Sequence, residues 1–194
     1  MSITLEQLLK SRDERVEHQK DLLGSYPGKS LLCLTVQLPG PEKRNRTSLA
    51  IAQAGVEAVR EAFKPEYEEL RDLETGYEAY FLVSLPAAEA KRLACHIEDT
   101  HPLGRLMDID VLHASASPTA SKNYFSGRCP KNQFSEAIAK PTHVGAISRA
   151  DIGLESRKCL LCDNEVRYCM RARTHTVGEL LARIEEMVKV CRDF

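Results

Sequence analysis

The chain has 194 residues, 43% hydrophobic and 28% charged, with a formal net charge of -1 at pH 7. That is the profile of one globular domain, 1–194, long enough to bury a core, and the balanced charge gives no support to nucleic-acid binding. No apolar run approaches the roughly 18 residues of a membrane span and no signal peptide is evident, so the reading is cytoplasmic, with the seven Cys as reduced thiols or metal ligands.

In chain order, residues 4–23 read as an amphipathic helix opened by Thr4 and Gln7 at capping-box spacing. Gly24, Pro27 and Gly28 end it. Ser30 to Leu38 is a nearly continuous apolar run and suits a central strand. A loop follows from Pro39 with three cations, Lys43, Arg44 and Arg46, ahead of a helix at about 47–63. A helix N-terminus beside cations can cradle an anion; a solvated loop with ordinary capping by Thr47 or Ser48 is the plainer alternative. Tyr67–Glu74 and Tyr77–Leu85 read as strands joined at Thr75-Gly76. Pro86 then starts a helix to about Asp99.

The next strand, Leu106 to Leu112, carries two acids. Strand side chains alternate between faces, so Met107, Ile109 and Val111 share one face while Asp108 and Asp110 share the other. Their Cα atoms lie roughly 6.5–7 Å apart, close enough for both carboxylates to lean toward one cation. Mg²⁺ suits such a pair, since it takes one or two carboxylates and fills its remaining positions with water and phosphate oxygens. A wet edge strand with two solvated acids is the bland alternative. The flanks favour the cation: Gly104 allows close backbone approach, and Arg105 brings an anion fork.

The order strand, helix, strand, strand, helix, strand predicts an α+β fold. The expected architecture is a βαββαβ-like, mainly antiparallel sheet with helices packed on one face, plus N- and C-terminal helices. Residues 114–147 break the pattern and read as a long inserted loop, a mobile cover beside the site in which Phe134–Lys140 forms a turn or two of helix and Lys122, Arg128 and Lys131 supply charge. In the tail, Cys159-x₂-Cys162-x₆-Cys169-x₅-His175 offers four soft ligands for zinc. Buried free thiols with a capping His read equally well. Thr176 and Glu179 are spaced to open a last helix.

Several blocks run together in one order: Pro39-Gly40-Pro41-x-Lys43, Thr75-Gly76, His101-Pro-Leu-Gly-Arg-Leu-x-Asp108-Ile-Asp110-Val-Leu, Ser148-Arg149-x-x-Ile-Gly-Leu, Arg157-Lys158-Cys-Leu-Leu-Cys162 and Cys169-x-Arg171-x-Arg173-x-His175. In these the chain resembles the citrate lyase holo-acyl-carrier-protein synthase family, the apo-citrate lyase phosphoribosyl-dephospho-CoA transferases. The stretch 114–147 departs from the family's more direct passage from the acid strand to the Ser-Arg motif. The resemblance implies one transferase domain and a nucleotidyltransferase reaction. Its substrate would be 2′-(5″-triphosphoribosyl)-3′-dephospho-CoA, attacked at the α-phosphorus by a serine of the acyl carrier (gamma) subunit of citrate lyase, with diphosphate leaving.

For that chemistry Asp108 and Asp110 are the expected metal ligands. Arg105, with Lys43 and Gly104, would clamp phosphate, and Arg149, Arg157, Arg171 and Arg173 would stand behind them. No general base is evident; Asp151 or one of the strand acids would serve. Two rivals remain: a zinc-stabilised binding module without catalysis, and a nucleotidyltransferase for another triphosphate.

Overall fold

An apolar strand flanked on both sides organises the sheet. In the computed structural model, which describes residues 3–115 and 143–192, β1 (Ser30–Val36) lies between β3 (Gly76–Val83) and β4 (Met107–Ser115), antiparallel to both. β2 (Tyr67–Leu73) pairs with β3, and β5 (His143–Ile147) pairs with β4. The order β2-β3-β1-β4-β5 is antiparallel throughout, and its first four strands arise from the expected split βαββαβ order.

The helices are α1 (Leu5–Ser25), α2 (Arg46–Phe63), α3 (Ala87–Thr100), α4 (Val166–Ala172) and α5 (Val177–Arg192). Thr4 and Gln7 form the expected capping box on α1. α2 is opened by Asn45 with Ser48, two residues before Thr47 and three before Ser48, the caps expected. On α5, Glu179 accepts from the Thr176 backbone N–H while its own N–H donates to the Thr176 hydroxyl.

Helices cover both faces of the sheet, not one. Leu32, Leu34, Phe81, Met107, Ile109 and Val111 pack under Ile51, Val59, Ala94, Ile97, Ile184 and Val188 of α2, α3 and α5. On the reverse face Leu31, Cys33, Tyr80, Leu82 and Leu112 pack against Leu22 and Leu23 of α1. A continuous apolar strand such as β1 requires this, because both sets of alternate side chains must leave water. The stretch read as an inserted loop is corrected at both ends. Ala114 and Ser115 continue β4, and His143–Ile147 returns as an edge strand in register with Val111–Ser115. The rest of that reading, including the helical turn at Phe134–Lys140, the cations Lys122, Arg128 and Lys131 and the cover itself, lies outside the described residues.

A 3₁₀ turn, Gly104–Leu106, carries the chain from α3 into β4. A Cβ at Gly104 would meet the backbone carbonyls of Ile97 and Glu98, the latter at 2.7 Å. The glycine therefore serves close packing on the last turn of α3. Both clashing atoms are backbone and cannot swing aside. Gly104→Ala is expected to lower stability by about 1–3 kcal/mol, the usual cost of overpacking, read as a lower urea midpoint at unchanged slope. An unaltered midpoint would show that the turn has room to move.

Candidate active site

The acid pair stands on the α1 face of β4 but away from the apolar patch that α1 buries. Asp108 is aligned with Thr35 and Asp110 with Cys33. Leu22 and Leu23 cover the Leu31–Leu112 end of that face, and the middle of α1 lies over β3 and β2, where Arg15 donates to Glu78 at 2.7 Å and His18 meets Glu69 at 2.9 Å. The side chain of Asp108 is 35% exposed and Asp110 is exposed as well. Asp108 accepts from Gln37 Nε2 at 3.0 Å. The Asp110 carboxyl is pushed up, first by the protein mass around it and then by the charge of Asp108. Its exposure tempers the first effect; the repulsion remains. Two carboxylates that repel across one strand face are an oxygen donor set suited to a hard divalent cation. Beneath Asp110, burial pushes the Cys33 thiol up to about 12, which leaves it a neutral packing group.

The edge of β4 beside this pair is finished by side chains. β5 pairs only from Val111 onward, so the outward backbone groups of Met107 and Ile109 need other partners. Glu98 of α3 accepts from the Ile109 N–H at 2.8 Å. Lys91 Nζ donates to the Ile109 carbonyl at 2.8 Å, and Arg157 Nη1 donates to the Met107 carbonyl at 3.0 Å. Glu98 is 1% exposed, and it forms ion pairs with Arg157 Nη2 and with Arg149 Nη1, the latter at 3.3 Å. Arg149 also holds Asp99 at 2.6 Å and the Glu155 carbonyl at 3.0 Å. Arg157 Nη2 reaches Asp108 at 3.5 Å.

These contacts redistribute the expected phosphate clamps. Arg157 reaches Asp108 while Arg149 stands on Glu98 and Asp99, and both guanidinium groups are engaged by carboxylates and backbone carbonyls. Arg105 faces the same cluster and donates to the Lys158 carbonyl; burial, and then the nearby Arg157 charge, lower its pKa. Lys43 sits past the end of β1, donating to the Leu38 carbonyl near Gly76 of the β2–β3 hairpin. That is the sheet end at which β4 begins, although no contact between Lys43 and either acid occurs among the described residues. Arg171 and Arg173 are exposed on and just after α4, with no ion pair among the described residues. Asp151 is spent on a local turn, accepting from the Ser148 N–H at 2.8 Å and its hydroxyl at 2.7 Å, which hold its carboxyl below the usual range and make it a poor base.

The soft-ligand set comes together. The ligand atoms of Cys159, Cys162, Cys169 and His175 all lie within 4.8 Å of one another, with Cys162 Sγ 3.5 Å from Cys169 Sγ and 3.3 Å from His175 Nε2. Four ligands on a tetrahedral ion with bonds of about 2.0–2.3 Å are separated by comparable distances, so this Cys₃His group is able to hold a metal. Cys159 opens the turn, with its N–H bonded to the Asn164 carbonyl at 2.7 Å; Cys169 lies on α4 and His175 between α4 and α5. Burial raises the Cys159 thiol, yet hydrogen bonds from the Leu161 and Cys162 N–H groups and with the Cys169 and Cys162 thiols together hold it below its ordinary value.

Glu98, Lys91 and Gln37 were not among the residues expected from the sequence. A signal was present for two of them: Lys91 and Glu98 fall seven apart along the buried side of α3, where Ala90, Ala94, Cys95 and Ile97 are apolar. A charge on a buried helical stripe needs a partner elsewhere in the fold.

Among the described residues no helix is long and apolar enough to cross a membrane. A sequence profile of the apo-citrate lyase phosphoribosyl-dephospho-CoA transferases matches residues 3–127 and 138–191. A protein of Streptococcus pyogenes serotype M18 (strain MGAS8232), named a probable apo-citrate lyase phosphoribosyl-dephospho-CoA transferase, is 33% identical over 190 residues, covering 96% of this chain and 86% of the relative. One of the same name from Vibrio cholerae serotype O1 (strain M66-2) is 33% identical over 193 residues, covering 96% and 92%. With matches over nearly its whole length, the chain belongs to the apo-citrate lyase phosphoribosyl-dephospho-CoA transferase family and is a transferase.

Proposed function

We propose that the protein, as one transferase domain, moves the phosphoribosyl-dephospho-CoA group from 2′-(5″-triphosphoribosyl)-3′-dephospho-CoA to a serine of the citrate lyase acyl carrier subunit. The observation that carries this reading is the exposed pair Asp108 and Asp110 beside an arginine-rich strand edge, in a chain of this family. The serine oxygen bonds to the α-phosphorus, the bond to the departing diphosphate breaks, and a phosphodiester remains. In-line phosphoryl transfer depends mainly on positioning and charge neutralisation. Asp108 and Asp110 would hold Mg²⁺, which supplies charge neutralisation at the phosphate oxygens when bound. Arg105, bonded to the Lys158 carbonyl, and Arg171 and Arg173, without an ion pair among the described residues, are the cations proposed to meet phosphate, because Arg149 and Arg157 already hold carboxylates as well as backbone carbonyls. Asp151 is tied to Ser148, which leaves the strand acids to accept the serine proton.

Zn²⁺ is the ion proposed for Cys159, Cys162, Cys169 and His175. Thiolates and imidazole favour it, and four protein ligands leave no open position, as in structural sites. A reducing cytoplasm would keep these thiols available.

Asp108→Asn is expected to reduce transfer by roughly 10²–10³ while the protein stays folded, since the amide keeps the shape and loses the charge. Mass spectrometry of purified carrier subunit, after incubation with the enzyme, the triphosphoribosyl precursor and Mg²⁺, reads the added group directly. Near-normal transfer by the variant at saturating Mg²⁺ would remove the metal role. Purified protein should also carry about one zinc per chain, and a strong chelator should lower its Tm. A folded preparation shown by elemental analysis to be metal-free would leave free thiols in place of the zinc site.

A further inference from the structure

We propose that Glu98 is a positioning residue that holds the Arg157 guanidinium away from Asp108 and so keeps that carboxylate free for a divalent cation. The inference rests on the reading of Asp108 as a cation ligand. Arg157 Nη2 stands between two anions. It is in close contact with Glu98 Oε1 and only 3.5 Å from Asp108 Oδ1. Glu98 is 1% exposed and Asp108 35%. A buried ion pair is screened far less than one open to water, so Glu98 wins the contest on distance and on surroundings.

Two further contacts make the arrangement specific. Arg157 Nη1 is anchored on the Met107 carbonyl at 3.0 Å, so the guanidinium pivots beside the acid strand and cannot leave it. Arg149, the other cation on Glu98, has a second anion in Asp99 at 2.6 Å. If the charge of Glu98 is lost, Arg149 stays paired, whereas the anion nearest to Arg157 becomes Asp108. A guanidinium seated on Asp108 would oppose a cation there by like charge and by occupying its oxygen. Glu98 also fixes the N–H of Ile109, the residue between the two acids, and a glutamine preserves that bond through its amide oxygen.

Mn²⁺ binding to the intact protein, measured by calorimetry or electron paramagnetic resonance, tests this without relying on turnover. Glu98→Gln should weaken Mn²⁺ binding about tenfold or more, and adding Arg157→Gln should restore it to within a few-fold of wild type, because the competing cation is gone. Weakened binding that the second change does not restore would overturn the proposal, as it would mean that Glu98 acts only by supporting the fold. Arg157→Gln alone should bind Mn²⁺ as tightly as wild type or tighter. This single variant decides the matter if Glu98→Gln does not fold, and weaker binding by it would count against the proposal. Asp108→Asn separates the two readings. If it abolishes Mn²⁺ binding while Glu98→Gln leaves binding unchanged, only the role of Glu98 fails. If wild type and Asp108→Asn bind Mn²⁺ alike, the cation-ligand reading fails, and this inference with it.

Discussion

A single buried carboxylate sets the terms for the surrounding structure. Glu98 has lost nearly all contact with water, and an unpaired charge in such a place is strongly unfavourable. It is satisfied by three groups from distant parts of the chain: the Ile109 N–H, Arg149 and Arg157. Each brings its own segment. Ile109 lies on the acid strand, Arg149 follows β5, and Arg157 leads into the Cys/His turn. Replacing such an ion cluster with apolar residues can leave a protein as stable or more so, so its value is better sought in specificity. Here the specificity is geometric. The helix α3, the strand β4 and the tail can share one carboxylate only in one mutual arrangement, and in it a cationic edge stands beside Asp108.

The sheet explains why two acids are tolerated on one of its inner strands. β1 is buried on both faces, and β4 is buried on the face carrying Met107, Ile109 and Val111. On the other face the apolar contact of α1 is concentrated at Leu22 and Leu23, which meet Leu31, Leu82 and Leu112. Asp108 and Asp110 occupy the strand before that contact, where β5, which ends at Ile147 opposite Val111, also leaves the edge open. An edge without a partner strand exposes backbone groups that invite mispairing. Lys91, Glu98 and Arg157 close it with side chains instead. The same opening that frees the carboxylates therefore creates the need for the charged residues around them.

Much of this was legible in local sequence. Thr4 with Gln7 and Thr176 with Glu179 announce helix starts through side-chain bonds three residues apart, which need no tertiary context. The apolar run of β1 and the alternation around Asp108 and Asp110 follow from the two-residue period of a strand. The losses share one cause. His143–Ile147 is short and includes Gly145, and it becomes a strand because β4 offers an edge to pair with. The roles of Arg149 and Arg157 depend on Glu98, 51 residues before the first of them, and the pairing is invisible to periodicity. Gly104 was legible as a position of close backbone approach, and the close passage of α3 that it serves depends on the tertiary fold. Lys43 falls at the sheet end where β4 begins, and its ammonium is occupied by the Leu38 carbonyl, a contact that periodicity does not reveal.

The Cys/His turn and the acid strand are physically coupled. Arg157 is two residues from Cys159, and Arg105, next to Gly104 ahead of β4, holds the carbonyl of the intervening Lys158. A metal on the four soft ligands would fix the backbone from which Arg157 projects, and thus the guanidinium that Glu98 and Asp108 share. The two proposed ions need not compete for each other's places. Thiolate and imidazole donors favour zinc, whereas a pair of carboxylates open to water favours a hard cation that keeps water and phosphate in its shell. Arg157 reaches Asp108 and lies two residues before Cys159, and Arg105 holds the Lys158 carbonyl beside Cys159, so positive charge borders both sets. Donor chemistry and this bordering charge together would let one small domain keep a structural ion and a working ion apart.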